Sequence, residues 1–491
     1  MVISFMTIPE YAFSQSPVFE DIENMSYDEF VKNSKSEYLS FRDRVNKEYA
    51  DFMRLYPWIS IKKENPHPAP VIIEPEPDVI PEEEESIIET PSPVIIEDVI
   101  KIQQPEPQPL PIEEISEPEE REVISYLDIL FYGTKIKIRD PRLSEWRLTG
   151  TTENDFANGF DFLSKNSTNS LIIDCLNIRD SLSLPDWGYI KLLDKISSEL
   201  KGTDTNEKSL LLGFLLNQSG YKVRYGLDFK GSLFILISTR GILYDHHRYF
   251  LDNEWYYSYT NPDGRDVKIC NFNMPGEQSF DMGIRCSPNF DYSPGNKREI
   301  TVKRHPEVSL SLTPNQNLID FFNDYPEATL DDSPYSMWAI HGNTPVSKEI
   351  KEQIYPVLRD HIKEKSELES LQFLLKVAQS FPYGFDENIW GKDRAFWMEE
   401  SWHYPYSDCE DHAIQFSHLV RDLLNLDVCL VYYPGHLSSC VALSNNETHG
   451  DFIRYEDKNY TVCDPTYFYS GVGKTAPSNK NSEAILIPLL R

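Results

Sequence analysis

Three side chains near the C-terminal end of the chain have the types and the order of a thiol acyl-transfer site: Cys409, His436 and Asp464. Cys409 lies in Asp408-Cys409-Glu410-Asp411. That tetrapeptide opens a stretch with apolar residues at Ala413, Phe416, Leu419, Val420, Leu423 and Leu424, which is helical spacing. His436 follows Pro434-Gly435 and enters an apolar, strand-like run, and Asp464 leaves a second such run in Cys463-Asp464-Pro465-Thr466-Tyr467. A free thiol titrates near pH ~8.5, and a helix N-terminus with an imidazole beside it favours the thiolate. In such chemistry Cys409 attacks a carbonyl carbon, and His436 takes the thiol proton and later gives it to the leaving amine. Asp464 accepts the other ring N–H and so sets the tautomer. The backbone N–H of Cys409 is the simplest donor to the oxyanion that forms.

Each of these residues also has an ordinary reading. Buried cysteines usually fill cores, and Cys429, Cys440 and Cys463 sit in apolar runs that read this way. A histidine after Pro-Gly is a turn residue by default, and an aspartate before proline makes turns of its own. Cys409 stands apart because acids flank it where a helix begins. His403, His412 and His418 suggest a metal with Cys409, but only His412 shares its helix face and His418 lies six residues beyond, away from it. Neither a metal nor a cofactor is expected. Glu410 and Asp411 are expected to favour the helix start by their charge.

The order Cys, His, Asp, carried by DCED, YPGH and DPTY, resembles the transglutaminase-like superfamily of cysteine enzymes, in particular its bacterial cysteine peptidase domains. The resemblance spans roughly Ile350 to Ser470. It implies a papain-like α+β fold with Cys409, His436 and Asp464 as a catalytic triad. It also implies a tryptophan or similar side chain assisting at the oxyanion, and Trp390, Trp397 and Trp402 are the nearby choices. Bacterial relatives of this kind act as peptidases or amidases on proteins or peptides. Glutamine crosslinking is the variant in which an amine, not water, resolves the thioester.

The rest of the chain must position that segment. With 491 residues there is room for two or three domains. The net charge of −32 excludes a nucleic-acid backbone as a natural partner, since binding one needs clustered Lys and Arg. No run of apolar residues is long enough to span a membrane. Seven cysteines without CxxC spacing are neither a disulfide framework nor a zinc site, although Cys270 and Cys286 would be free to pair in an exported protein. Ala12-Phe13-Ser14 before Gln15 has the form of a signal cleavage site without a positively charged start, which leans to an exported or periplasmic location and leaves the compartment undecided.

In order, residues 1–25 read as a tail or signal remnant. Residues 26–58 read as an amphipathic helix with a capping box of Ser26 and Glu29, either packed on the globular part or offered to a protein partner. Residues 59–122 read as a disordered, acidic linker. Between Pro66 and Arg121 it has thirteen prolines and sixteen acidic against two basic residues, and it repeats Pro-Val-Ile-Ile-Glu at 70–74 and 93–97. Extended, that stretch would reach on the order of 170 Å. Residues 123–264 mix helices with aromatic strands, 265–346 suggest short connecting strands, and 347–491 hold the site.

Residues 210–226 and 249–259 align in pattern with the C-terminal segment at offsets of about 206 and 205. This predicts that 123–264 is a degenerate copy of the C-terminal fold. In that register Thr203 stands for Cys409, Gly231 or its neighbours for His436, and Tyr259 for Asp464. The adjacent His246 and His247 point to opposite faces of a strand and are not expected to share a metal. A non-enzymatic scaffold built on two such modules is the rival to an enzyme.

Overall fold

A computed structural model describes residues 27–70, 92–116, 125–165, 168–260, 262–264, 266–386 and 390–490, with the side chains of 27–40 excepted. The tail over 1–25, residues 71–74 of the first Pro-Val-Ile-Ile-Glu and the glutamate run at 82–85 lie outside these. The chain is α+β. Its first part runs α1 (Tyr27–Leu55), β1 (Ile59–Lys62), β2 (Ile96–Val99), β3 (Tyr126–Phe131), β4 (Thr134–Arg139), α2 (Glu153–Leu163), α3 (Asn169–Ser181), α4 (Asp186–Lys201), α5 (Asn206–Gln218), β5 (Val223–Leu227), β6 (Leu233–Ser238), β7 (Arg248–Leu251), β8 (Glu254–Ser258) and β9 (Asp266–Cys270). The second runs β10 (Arg298–Thr301), β11 (Ser309–Leu312), α6 (Gln316–Asn323), α7 (Met337–Asn343), α8 (Lys348–Gln353), α9 (Tyr355–Ile362) and α10 (Glu367–Ala378). It continues with α11 (Met398–His403), α12 (Cys409–Leu424), β12 (Asp427–Tyr433), β13 (His436–Ala442), β14 (Phe452–Tyr455), β15 (Lys458–Cys463) and β16 (Ala484–Pro488).

The two six-stranded sheets share a strand order and differ in the direction of one edge strand, antiparallel to its neighbour in the first and parallel in the second. The first is ordered β1-β9-β5-β6-β8-β7 and the second, read from its other end, β2-β16-β12-β13-β15-β14. In each, one helix enters an antiparallel hairpin, a second hairpin follows, and a later strand returns beside the first. Helices α5 and α12 hold equivalent places, and both are buried nearly all round, as a helix against a sheet must be when other helices cover its far side. The first sheet extends past Gly264, because β9 pairs with β5.

The register within the repeat differs from the sequence alignment by three residues. Thr205, not a residue before Thr203, caps α5 by accepting from Lys208 N, so the helix starts at Asn206. Asn206 is therefore the counterpart of Cys409, and the two make matching contacts. Asn206 Oδ1 accepts from Leu233 N at 2.8 Å, and Cys409 Sγ accepts from Leu437 N at 3.1 Å. Tyr259 follows β8 as Asp464 follows β15.

Two stretches of the expected linker are paired instead. β1 is antiparallel to β9, with Ile59 opposite Ile269 and Ile61 opposite Val267. β2, formed by the end of the second Pro-Val-Ile-Ile-Glu, runs parallel to β16, and Ile100 N donates to Leu486 O at 2.8 Å. Both lie at sheet edges, where proline is tolerated and where unpaired N–H and C=O groups hold an extended segment that has no core of its own. The long free spacer is thus corrected for 59–62 and 92–100.

The described half of α1 packs inward. Val45, Tyr49 and Met53, four apart, are buried, and the Tyr49 ring lies 4.6 Å from Phe160 and 4.9 Å from Phe272. Arg42 donates to Gln218 at 2.8 Å and to Asn169 at 3.0 Å. The apolar face that a partner would need over 41–55 is inside the core. Between the sheets, the connecting region contains the expected β10–β11 hairpin but also two helices, α6 and α7, whose apolar residues Leu318, Phe321, Phe322 and Trp338 are buried.

Candidate active site

Each local motif forms for a reason visible in its residues. Asp408 precedes α12 in an extended conformation, and its N–H donates to Asp411 Oδ2 at 3.3 Å, while Phe396 N donates to Asp411 Oδ1 at 2.7 Å. Cys409 is thereby fixed at the first position of the helix. Pro434-Gly435 is a two-residue turn that sets Tyr433 opposite His436, and Gly435 has φ +79°, which glycine adopts at no steric cost. Register and turn together make His436 the first residue of β13.

His436 and Asp464 meet directly, with Nε2 to Oδ2 at 2.9 Å. The Asp464 carboxylate is held from its other oxygen. Oδ1 accepts from Thr466 N at 3.0 Å, Thr466 Oγ1 at 3.1 Å and Tyr467 N at 3.1 Å. This is why Thr and Tyr follow Asp464-Pro465, a role that the Asx-turn habit of aspartate signals in sequence. Burial alone would raise the Asp464 carboxyl, but the imidazole and the Thr466 donors outweigh it and hold it below the usual carboxylate range. The loop is braced from α10, where Gln379 Nε2 donates to Tyr467 O at 3.1 Å and Lys376 Nζ to Ser470 O at 2.5 Å.

Cys409 is 1% exposed. Its Sγ accepts from Leu437 N, one residue past His436, and its thiol donates to Glu410 Oε2 at 3.4 Å. The thiol is thus tied to the residue beside the imidazole, and Glu410, which sequence reading treated only as a helix-start charge, is its acceptor. The site is walled by the apolar cluster of Ile100, Trp338, Ala395 and Leu437, so the Pro-rich segment contributes to it. Asp411 is buried among other acids. Burial first, then Asp386 and Glu410, push its carboxyl upward against the lowering effect of the two backbone N–H groups, of Phe396 and Asp408, that it accepts from.

Oxygens of Asp386, Asp408 and Asp411, and of Asp393, Asp408 and Glu410, lie within 4.8 Å of one another. Hard cations take such donors, but carboxylates sharing protons give the same spacing. Among the described residues, His403, His412 and His418 form no such group with Cys409. His246 and His247 bond to different backbone carbonyls, of Ser258 and Glu64. All seven cysteines are free, with Cys270 buried and Cys286 exposed.

Of the three tryptophans, Trp397 is occupied elsewhere. Its Nε1 donates to Thr344 Oγ1 at 3.3 Å and its ring stacks on Phe322 at 4.6 Å. Trp390 Nε1 and Trp402 Nε1 are buried without a hydrogen-bond partner.

Beside Trp397, α11 carries Glu399, whose Oε1 accepts from Ser347 N at 2.6 Å. Burial pushes this carboxyl up from 4.5 to about 7. A raised folded-state value gives stability that is full below the ordinary value and is lost as pH rises through about 7. The wild type should therefore lose on the order of 3 kcal/mol across that window through this group. Glu399→Gln should lack that slope when denaturant midpoints are compared at acidic and mildly alkaline pH, and parallel curves for the two proteins would refute it.

No family model matches the chain, and no curated protein or solved structure is significantly similar to it.

Proposed function

We propose that this chain is a thiol-dependent acyl-transfer enzyme that cleaves amide bonds in a protein or peptide, as a cysteine peptidase or amidase of transglutaminase-like type. The observation that carries this reading is the His436–Asp464 contact at 2.9 Å with the far carboxylate oxygen pinned by three donors, next to a thiol at a helix N-terminus. With Nε2–H given to Asp464, Nδ1 is the nitrogen that takes the Cys409 proton. The sulfur then bonds to the carbonyl carbon, the C–N bond breaks, and the imidazolium protonates the departing amine. Water adds to the thioester and releases the acid with the thiol restored. An amine in place of water yields a new amide, which is the transglutaminase variant, and exclusion of solvent decides between the two.

The rival reading, a binding scaffold of two like modules, draws on the 1% exposure of Cys409 and on a first module with Asn206 where the thiol would stand. A peptide-library digest separates them. Wild type should give cleavage products that Cys409→Ala lacks, and an added primary amine should appear in the products only for the transglutaminase variant. Identical digests from wild type and Cys409→Ala would leave the scaffold.

A further inference from the structure

We propose that His305, Glu307 and His361 form a binding site for one borderline divalent transition metal ion, of which Zn²⁺ is the representative. One ligand atom from each of the three lies within 4.8 Å of the others. His305 Nδ1 and Glu307 Oε1 are 3.3 Å apart. Two ligands of a tetrahedral zinc, at bonds of about 2.0–2.1 Å, stand about 3.3–3.5 Å from each other, so this pair already has the required separation. His361 Nε2 is buried and has no hydrogen-bond partner. Two imidazoles and a carboxylate, with a fourth position left to water, suit zinc and its neighbours better than calcium or magnesium, which prefer all-oxygen shells.

The ligands stand on braced elements. His305 and Glu307 flank Pro306 in the turn of the β10–β11 hairpin, whose ends are anchored by buried Val302 and Val308. The turn is closed by His305 N donating to Val302 O at 3.0 Å and Val308 N to His305 O at 2.8 Å. His361 lies in the last turn of α9, beside buried Ile362. Phe373 of α10 forms the floor, its ring 4.1 Å from that of His361 and 5.1 Å from that of His305. An ion here would join the hairpin to the α9–α10 pair. The same turn places Lys303 over Phe468 at 4.5 Å and Arg304 over Tyr469 at 5.4 Å, in the loop that follows Asp464. The metal would therefore stiffen one support of that loop.

The test uses the full chain, stripped of metal, in a Cys286→Ser, Cys409→Ser background that removes the exposed thiol and the helix-start thiol as competing zinc donors. Titration with Zn²⁺ in competition with a chromophoric chelator should show one ion per chain and a raised melting temperature. His305→Asn, Glu307→Gln and His361→Gln should each weaken that binding about 10- to 100-fold or more, since even outer partners of a metal site cost that much. Glu307 is 60% exposed, so Glu307→Gln should melt like its parent when metal-free, which separates lost binding from lost folding. Absence of a tight ion in the parent, or parent-like affinity in all three variants, overturns the site and leaves an ordinary His305–Glu307 hydrogen bond.

Discussion

Iodoacetamide at pH 6 should alkylate Cys409 about tenfold faster than Cys286, and His436→Ala should remove the difference. Cys286 is the exposed thiol of the chain and serves as an internal reference, while Cys175, Cys270, Cys429, Cys440 and Cys463 are buried. Burial pushes Cys175 and Cys463 above the range in which a thiolate forms. At pH 6 an ordinary thiol near 8.5 is thiolate in roughly one molecule in 300. A thiolate–imidazole pair recovers most of that factor, and the lower intrinsic nucleophilicity of a more acidic thiol returns part of it, which leaves about one order of magnitude.

Its neighbours, the imidazole and Thr466, hold the Asp464 carboxyl below the usual range, so Asp464→Asn removes both the carboxylate charge beside the imidazole and the acceptor that sets its tautomer. That variant should reduce turnover of any cleaved peptide by about 10²–10⁴, the range seen when a triad loses its orienting acid or its base. Labelling of Cys409 no faster than of Cys286 in the wild type would sink the thiolate–imidazole pair. It would also favour the scaffold, in which the Glu410 contact and the 1% exposure keep the thiol inert.

Arg224→Ala should cost about 3–5 kcal/mol of stability, the largest effect expected outside the site. The Arg224 side chain is fully buried, and its guanidinium bonds Glu277 through both carboxylate oxygens, at 2.6 and 2.9 Å. It also reaches Asn271 Oδ1 at 3.2 Å and Val223 O at 2.8 Å, and it lies over the Tyr256 ring. Its removal strands a carboxylate that is 5% exposed, and the desolvation cost of an unpaired charge, not the attraction lost, sets the magnitude. The exposed Lys195–Glu199 pair at 2.6 Å is the contrast: Lys195→Ala should change stability by less than about 0.5 kcal/mol. Denaturant unfolding measures both, and a loss below about 1 kcal/mol for Arg224→Ala would show that water reaches Glu277. Since Arg224 lies in the first sheet and Cys409 beside the second, the folded variant should keep the wild-type alkylation rate of Cys409.

The local motifs of the candidate site were legible because each is set by neighbouring residues. DCED states a helix start, Pro-Gly states a turn with φ > 0 at glycine, and DPTY states an aspartate that bonds the next backbone amides. Each rests on residues within four positions of one another. The likeness in pattern between the two segments was legible, since each has a buried helix before two hairpins. Its register was not, because the apolar pattern alone does not fix where α5 begins, whereas in the fold Thr205 caps the helix and Asn206 meets Leu233. The Glu410 contact was hidden for a similar reason, as helix-start acids ordinarily face solvent.

By itself, then, the sequence determined the α+β character, the order Cys409, His436, Asp464, and the turns and helix start that carry them. Tertiary structure alone decided that Pro-rich segments become edge strands β1 and β2, that α1 spends its apolar face on Phe160 and Phe272, that Trp397 gives its N–H to Thr344, and that His305, Glu307 and His361 meet. The physical reason is range. Helix caps and tight turns are satisfied by neighbours in the chain, whereas an edge strand, a buried ring or a cluster of ligands is defined by groups far along the chain that only the folded core brings within bonding distance.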